Sequence, residues 1–251
     1  MEPERSGIGR LARKAQRWLR GGRAGERERA LRAQFPLPEG IVAAIERIRS
    51  ESVARPGGGC PPGKQRALAH LIVTRGLKRS VEIGVFAGGS LFPQAVAMKH
   101  TGGLAIGIDP WSATEAEQRE NLDRFVPQVG EDYARRLDWE ALYREVGERI
   151  QRYGLAVHCR LMRMTSSRAS AEVDGPLDLV HIDGNHDYAR CADDLARWLP
   201  KLRTGGLLVL DDTSWDTIYP QYLELKSRMR LVLEVSPAGS PRPEWAVLDK
   251  I

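Results

Sequence analysis

The feature that most constrains the fold of this chain is the stretch VEIGVFAGGS at residues 81–90. An apolar and β-branched run enters it, three glycines interrupt it, and its last residue stands at the N-cap position of a helix over residues 91–98. Because glycine has no Cβ, such a turn can take positive φ and let a ligand lie on the main chain. The stretch therefore predicts a strand, a tight turn and a helix of an open α/β sheet, which binds nucleotide-like ligands at the carboxyl ends of its strands.

The spacing of the glycines separates the ligand classes. A dinucleotide fingerprint needs a glycine two residues after Gly84, and Phe86 stands there instead. The remaining pattern is Glu82-x-Gly84-x-x-x-Gly88, followed by Asp109 at the end of the next apolar run. An acid about 20 residues after such a turn is placed to accept hydrogen bonds from ribose hydroxyls. The alternative is a glycine turn that binds no nucleotide.

This pattern resembles motif I of class I S-adenosylmethionine (SAM) methyltransferases, with Asp109 as the acid that ends the second strand. The resemblance implies a Rossmann-like α/β fold with a seven-stranded, mostly parallel sheet and an antiparallel last strand, and SAM as cofactor. It also implies that the glycines approach the methionine and ribose part of SAM and that three later residues lie beside the adenine. The predicted SAM-binding residues are Glu82, Gly84, Gly88, Ser90, Asp109, Met164, Thr165 and Ser166.

Two further apolar runs end in acids, at Asp183 and at the pair Asp211 and Asp212. Because parallel strands bring their carboxyl ends to one edge of a sheet, we expect these acids near the glycine turn. Carboxylates that share a cleft repel unless a cation or proton intervenes, and oxygen ligands favour a hard divalent ion, Mg²⁺ before Mn²⁺ or Ca²⁺. His186 follows in the next loop and suits a general base at neutral pH. The alternative is that these residues cap strands and form turns.

The acidic motifs HIDGNHDY at 181–188 and DDT at 211–213 resemble those of metal-dependent small-molecule O-methyltransferases of the catechol and antibiotic-sugar types. They are most similar to the bacterial family that contains macrolide-sugar O-methyltransferases and cephalosporin hydroxylase proteins. The resemblance implies that Asp183, Asp211 and Asp212 hold Mg²⁺, although position 212 varies between Asp and Asn in that family. It further implies that Asp183 and His186 are catalytic.

The predicted function is therefore Mg²⁺-assisted methyl transfer from SAM to a hydroxyl of a sugar or other natural product, as in antibiotic biosynthesis. Two alternatives stay open: an N-methyltransferase acting on an amino sugar or other amine, and a SAM-fold binding or regulatory subunit. A small-molecule acceptor is expected as partner, and a homo-oligomer by analogy. No interleaving of aromatic and basic residues indicates nucleic-acid readout.

The net charge of +5 is concentrated at the start of the chain. Residues 1–35 contain ten basic and four acidic side chains, a balance of +6, so the remaining 216 residues sum to −1. An odd number of scattered cysteines argues against a disulfide frame or a zinc site and for a reducing compartment. With no apolar run of 18 residues and no secretory h-region, we expect a cytoplasmic protein without a membrane span.

The sequence divides into a basic amphipathic extension (1–35), N-terminal helices (36–80) and a methyltransferase core (81–251) with a helical insertion at 112–153. The extension is expected to dock, to bind an anionic membrane or to be partly disordered. The insertion is expected to form a lid or a plain helical layer. Further elements are predicted at these positions: helices at 39–51 and 64–75, strands at 156–164, 230–235 and 245–248, and a turn at 205–206.

One motif in the N-terminal region imitates a known site. The spacing Gly-x-x-x-x-Gly-Lys from Gly58 to Lys64 is that of a phosphate-binding loop. Gln65 stands where a Ser or Thr would bind Mg²⁺, and no apolar strand precedes the motif. We therefore reject a phosphate-binding loop and assign Lys64 only to the following helix.

Overall fold

The computed structural model describes residues 33–51, 60–116, 135–236 and 240–251. The strands are β1 Arg79–Ile83, β2 Leu104–Ile108, β3 Cys159–Met162, β4 Leu177–Ile182, β5 Leu202–Leu210, β6 Arg230–Val235 and β7 Trp245–Asp249. The helices are α1 Glu39–Ser50, α2 Pro62–Arg75, α3 Leu91–Thr101, α4 Ala113–Ala116, α5 Trp139–Arg152, α6 Ser166–Glu172, α7 Tyr188–Trp198 and α8 Tyr219–Arg228, with a 3₁₀ turn at Leu199–Lys201. Most of the basic extension and residues 117–134 of the insertion lie outside the described residues.

The seven strands form one sheet in the order β3-β2-β1-β4-β5-β7-β6. Strands β1 to β5 pair in parallel, whereas β7 pairs antiparallel with both β5 and β6. The predicted Rossmann-like sheet with an antiparallel last strand is therefore confirmed. The parallel strands read as continuous apolar runs because helices cover both faces of the sheet.

Alternate residues of the strands join two separate apolar clusters, as the two-residue period of a strand requires. In β4, Leu179 packs into the cluster that α1, α2, α3 and α5 cover, and Val180 packs into the cluster under α6, α7 and α8. Helix α5 packs against the same cluster as Leu179 through three buried side chains, Leu142, Val146 and Ile150. This described part of the insertion is a helical layer, and a lid in the remainder stays a prediction.

The predicted turn at Gly205 and Gly206 is wrong, because β5 already begins at Leu202. Gly205 takes φ +72°, and the register between β4 and β5 shifts over this stretch. The Gly205 N–H donates to the Lys250 carbonyl at 2.6 Å, and the Lys250 N–H donates to the Gly206 carbonyl at 2.9 Å. The glycines therefore bend a strand that continues its antiparallel pairing, and they do not end it.

The strand predicted at 156–164 is also too long, since β3 contains four residues. The His158 N–H donates to the Leu155 carbonyl at 2.8 Å, which closes a turn before the strand. At the other end, Thr165 already caps α6. The helices predicted at 39–51 and 64–75 and the strands predicted at 230–235 and 245–248 agree with the structure to within two residues.

Near its beginning, α2 is buried although its side chains there are polar. Lys64, Gln65 and Arg66 are all buried, together with the apolar residues that follow them. Among the described helices, none combines the length and the apolar character that crossing a membrane requires.

Candidate active site

The turn after β1 brings the ends of two strands into contact. Gly84 takes φ +85°, and a Cβ placed on it would overlap the carbonyl oxygen of Asp183 and lie 2.7 Å from Cα of Gly184. Gly88 takes φ +79°, and its N–H donates to the Val85 carbonyl at 2.8 Å. Gly84 is therefore required by the close approach of β1 to the end of β4 as well as by its own backbone conformation.

Asp109 follows β2 and holds this turn from the side. Its Oδ2 accepts hydrogen bonds from the N–H groups of Val85 (3.0 Å) and Phe86 (2.9 Å), and its Oδ1 accepts from Trp111 at 2.6 Å. Burial raises the pKa of the Asp109 carboxyl, against the lowering effect of these three backbone bonds. A carboxylate has about four acceptor positions, so about one remains for a ribose hydroxyl.

Glu82 and Ser90 lie beneath the turn in a buried polar network. The Glu82 carboxylate accepts from Ser90 Oγ at 2.9 Å, from Gln94 Nε2, and contacts Nδ1 of His181 at 3.1 Å. Burial raises the pKa of Glu82 to about 8. Ser90 stands at the predicted N-cap position, but its side chain does not cap α3, because its hydroxyl bonds Glu82 instead. A direct contact of either side chain with SAM stays a prediction.

The residues predicted beside the adenine follow β3 at the same edge of the sheet. Thr165 Oγ1 accepts from the Arg168 N–H at 3.4 Å and caps α6. Ser166 Oγ accepts from Trp198 Nε1 at 2.8 Å, and Met164 packs against the second apolar cluster. Their side chains therefore have structural roles, and their contact with adenine stays a prediction.

The three predicted acids lie together at the carboxyl ends of β4 and β5. The Asp183 N–H donates to the Ile83 carbonyl at 2.9 Å, and the Asp211 N–H donates to the Ile182 carbonyl at 3.1 Å. The parallel register therefore carries the acids to the edge that contains the glycine turn. Burial raises the pKa of Asp183, and the nearby Lys64 opposes this increase.

The three acids belong to two overlapping groups of possible metal ligands, and Asp183 is a member of both. One group is His181, Asp183 and Asp211, and the other is Asp183, His186 and Asp212; in each group the ligand atoms lie within 4.8 Å of one another. In the first group, Nε2 of His181 lies 3.8 Å from Oδ2 of both aspartates. Burial is the main reason why the pKa of His181 falls to about 3, so this ring is neutral at physiological pH.

His186 is half-buried and paired with Asp212. Its Nε2 lies 2.5 Å from Oδ2 of Asp212 and 4.0 Å from Oδ1 of Asp183, and its ring packs against Trp215 with centroids 4.7 Å apart. Burial lowers the pKa of His186, but the close contact with the negatively charged Asp212 outweighs this effect, so the pKa is raised overall. The imidazole is therefore oriented by a carboxylate, as a general base requires.

Lys64 is a member of the cluster that the sequence did not predict. Its Nζ donates to Oδ2 of Asp211 and lies 3.6 Å from Oδ2 of Asp183, and the side chain is 4% exposed. The available signal was a lysine in the first turn of a helix, where the macrodipole disfavours positive charge.

Strained backbone is concentrated at the same edge. The non-glycine residues with positive φ in the described part of the chain are Phe86 (50°), Trp111 (45°) and Asp212 (48°). Each lies two or three residues after the end of a parallel strand. Such conformations cost about 1–3 kcal/mol each and cluster at functional sites. Trp111 is buried in the core and donates from Nε1 to the Phe86 carbonyl at 3.0 Å, so it supports the turn.

Comparison with known proteins identifies the family of the chain and supports its fold. A family model described as a methyltransferase domain matches residues 81–213, which are 133 of the 251 residues. An O-methyltransferase from Bacillus cereus, solved with SAH (S-adenosylhomocysteine), superposes with a TM-score of 0.56 at 14% identity, covering 86% of this chain and 93% of that one. The O-methyltransferase TomG from Streptomyces achromogenes, involved in tomaymycin synthesis and solved with SAM, gives 0.56 at 15% identity, with 86% and 92% covered.

Two curated relatives match this chain over only part of their own length. Tricin synthase 2 of Oryza sativa subsp. japonica is 25% identical over 193 residues, which are 73% of this chain and 57% of that protein. Tricin synthase 1 of the same plant is 28% identical over 149 residues, 59% of this chain and 50% of that protein. The chain thus spans about half the length of these two relatives. Because the solved structures named above are at most 15% identical, they show the fold alone.

Proposed function

The chain belongs to the methyltransferase domain family, and from this membership we propose that it transfers the methyl group of SAM to a hydroxyl of a small molecule. One observation supports the proposal above others: the main chain of Asp183 lies directly against Gly84. A cofactor on the glycine turn and an acceptor at the acidic cluster would therefore share one pocket. The relatives named above, which include an O-methyltransferase of tomaymycin synthesis and two tricin synthases, support the substrate class.

In this mechanism the bound SAM supplies an already activated methyl group, so the protein has to align the acceptor and remove one proton. The glycine turn and Asp109 hold the cofactor. His186 takes the proton of the acceptor hydroxyl, and Asp212 orients the imidazole and stabilises the imidazolium that forms. Asp183, whose Oδ1 lies 4.0 Å from the same Nε2 atom, also balances the charge that develops on His186.

Two variants test the assignment by separating binding from turnover. We expect His186→Ala to lower the methyl-transfer rate by about 10²- to 10⁴-fold while SAH binds with unchanged affinity. Asp109→Ala should weaken SAH binding, since Asp109 holds three N–H groups of the turn. SAH affinity is measured by calorimetry. The rate of methyl transfer is measured with labelled SAM and hydroxylated small molecules, and NMR identifies the methylated atom. Equal losses of binding and turnover in His186→Ala would refute the base assignment.

Magnesium-assisted transfer is a second candidate, favoured by the two groups of possible ligands in the cluster. In it, Asp183 and Asp211 of one group and Asp212 of the other would hold the ion, which would lower the pKa of the acceptor hydroxyl. Asp183 and Asp211 do not fit this ion as their side chains stand, because Lys64 contacts both of them. The mechanism above therefore uses no metal. Loss of transfer with a chelator and recovery with Mg²⁺ would favour the second candidate.

A further inference from the structure

Lys64 places a positive charge inside the acidic cluster. Its Nζ contacts Oδ2 of Asp211 and Oδ2 of Asp183, the same two oxygen atoms that face Nε2 of His181. A metal ion bound by His181, Asp183 and Asp211 would lie among these atoms. The ammonium therefore takes up the two carboxylate oxygens through which this group would hold a divalent ion.

The local sequence of α2 gives no reason for a lysine at this position. Lys64 lies in the first helical turn, which favours anions, and that turn contains no acid. Burying an ammonium is costly unless a partner compensates. The hydrogen-bonded partner, Asp211, is 147 residues away in sequence. A residue that breaks a local preference in this way is expected at a functional or strained site.

Two neighbours indicate that the position of Lys64 is fixed. Gln65 donates from Nε2 to the Gly89 carbonyl at 3.1 Å, which ties the beginning of α2 to the glycine turn. His181 is fully buried, and its Nε2 has no hydrogen-bond partner among the described residues although it points at the same two carboxylates. The cluster thus contains a buried nitrogen and two half-buried acids, and the Lys64 ammonium contacts both acids.

We propose that the Lys64 ammonium replaces the divalent ion expected at this site, so that the chain carries a built-in cation and transfers the methyl group without metal. Lys64 is then a positioning residue. It holds Asp183 and Asp211 together and leaves Asp212 to pair with His186. The consequence for catalysis rests on the proposed function, whereas the metal-binding test below does not.

The test is a titration of the full-length chain with Mn²⁺ alone. Binding is monitored by electron paramagnetic resonance as the loss of the free-ion signal. We expect no saturable binding by the wild type, because Lys64 contacts Asp183 and Asp211 and His186 pairs with Asp212. We expect about one bound equivalent in Lys64→Ala, because the vacated carboxylates have the oxygen ligands that such ions take. Adding Asp211→Asn to Lys64→Ala should abolish the gain. Lys226→Ala is the matched control, since it removes a lysine whose 2.8 Å ion pair with Glu234 involves α8 and the edge strand β6.

Saturable Mn²⁺ binding by the wild type would overturn the proposal. So would a folded Lys64→Ala variant, judged by circular dichroism, that binds no more Mn²⁺ than the wild type. If Lys64→Ala does not fold, the wild-type titration decides alone, with absent binding in support and saturable binding against. A chain that binds SAH but methylates no acceptor would refute the proposed function and leave this titration valid. Methyl transfer by the wild type that continues in the presence of a chelator would support the catalytic part of the proposal.

Discussion

The close approach of β1 to β4 gives a sharp prediction for the variant Gly84→Ala. The native φ of +85° disfavours any residue with a side chain, and the added Cβ would overlap the carbonyl oxygen of Asp183. That obstacle is backbone and cannot rotate away as a flexible side chain could. The ends of the two strands would therefore have to separate, and the displacement would occur at the first residue of the acidic cluster.

Two costs add in this variant. A left-handed conformation costs a residue with a Cβ about 1–2 kcal/mol, and overpacking costs about 1–3 kcal/mol. Because the overlap is with the main chain, we expect the upper part of the sum, a loss of about 3–5 kcal/mol in the free energy of unfolding. The total free energy of unfolding of a folded domain is only about 5–15 kcal/mol.

Gly76→Ala is the matched control, because Gly76 ends α2 at φ +60° with no atom within 4 Å of an added Cβ. It carries the conformational cost without the overlap, and the stiffer unfolded chain returns about 0.4–1 kcal/mol, so the expected loss is about 1 kcal/mol. Gly40→Ala lies within α1, has open space and should be neutral or slightly stabilising.

Urea unfolding followed by circular dichroism measures all three variants, with the difference in midpoint read at constant m. SAH affinity is the second readout and should fall in Gly84→Ala alone, since only this variant moves the turn. If Gly84→Ala loses no more stability than Gly76→Ala within about 1 kcal/mol, the contact between Gly84 and Asp183 does not exist. The shared pocket proposed here would then lose its main support.

Two further predictions concern pH. Burial raises the pKa of Asp194 from 3.8 to about 6, so the folded chain keeps a proton that the unfolded chain releases. The resulting stability is complete below pH 3.8 and is lost as the pH rises through 6, by about 3 kcal/mol. In urea unfolding, the stability of the wild type should therefore fall relative to that of Asp194→Asn between pH 4 and pH 7. The pKa of His186 is raised because Asp212 outweighs the effect of burial, so the base is protonated until the pH passes that raised value. Methyl transfer should fall as the pH falls through it, and Asp212→Asn should move this limb of the pH profile to lower pH; an unchanged limb would exclude His186 as the titrating base.

Much of the fold could be predicted because it depends on short-range patterns. The strand, turn and helix at 79–101 follow from an apolar run, glycines and a helical sequence that are adjacent in the chain. The acids at 183 and 211 could be placed at one edge because parallel strands all end there. The errors occurred where local signals are ambiguous, as at Gly205, whose bend inside β5 depends on pairing with Lys250 of another strand.

The sequence by itself determined the class of sheet, the position of the glycine turn and the residues that end its strands, because these follow from the period and spacing of neighbouring residues. Only the tertiary structure decided which charges meet. Lys64 contacts Asp211 across 147 residues, and Glu82 contacts His181 across 99. Such pairs are set by the order of strands and the packing of α2 on the sheet, and no local pattern encodes them. Whether the acids hold a metal ion or a lysine therefore depends on a contact that becomes visible only when the chain is folded.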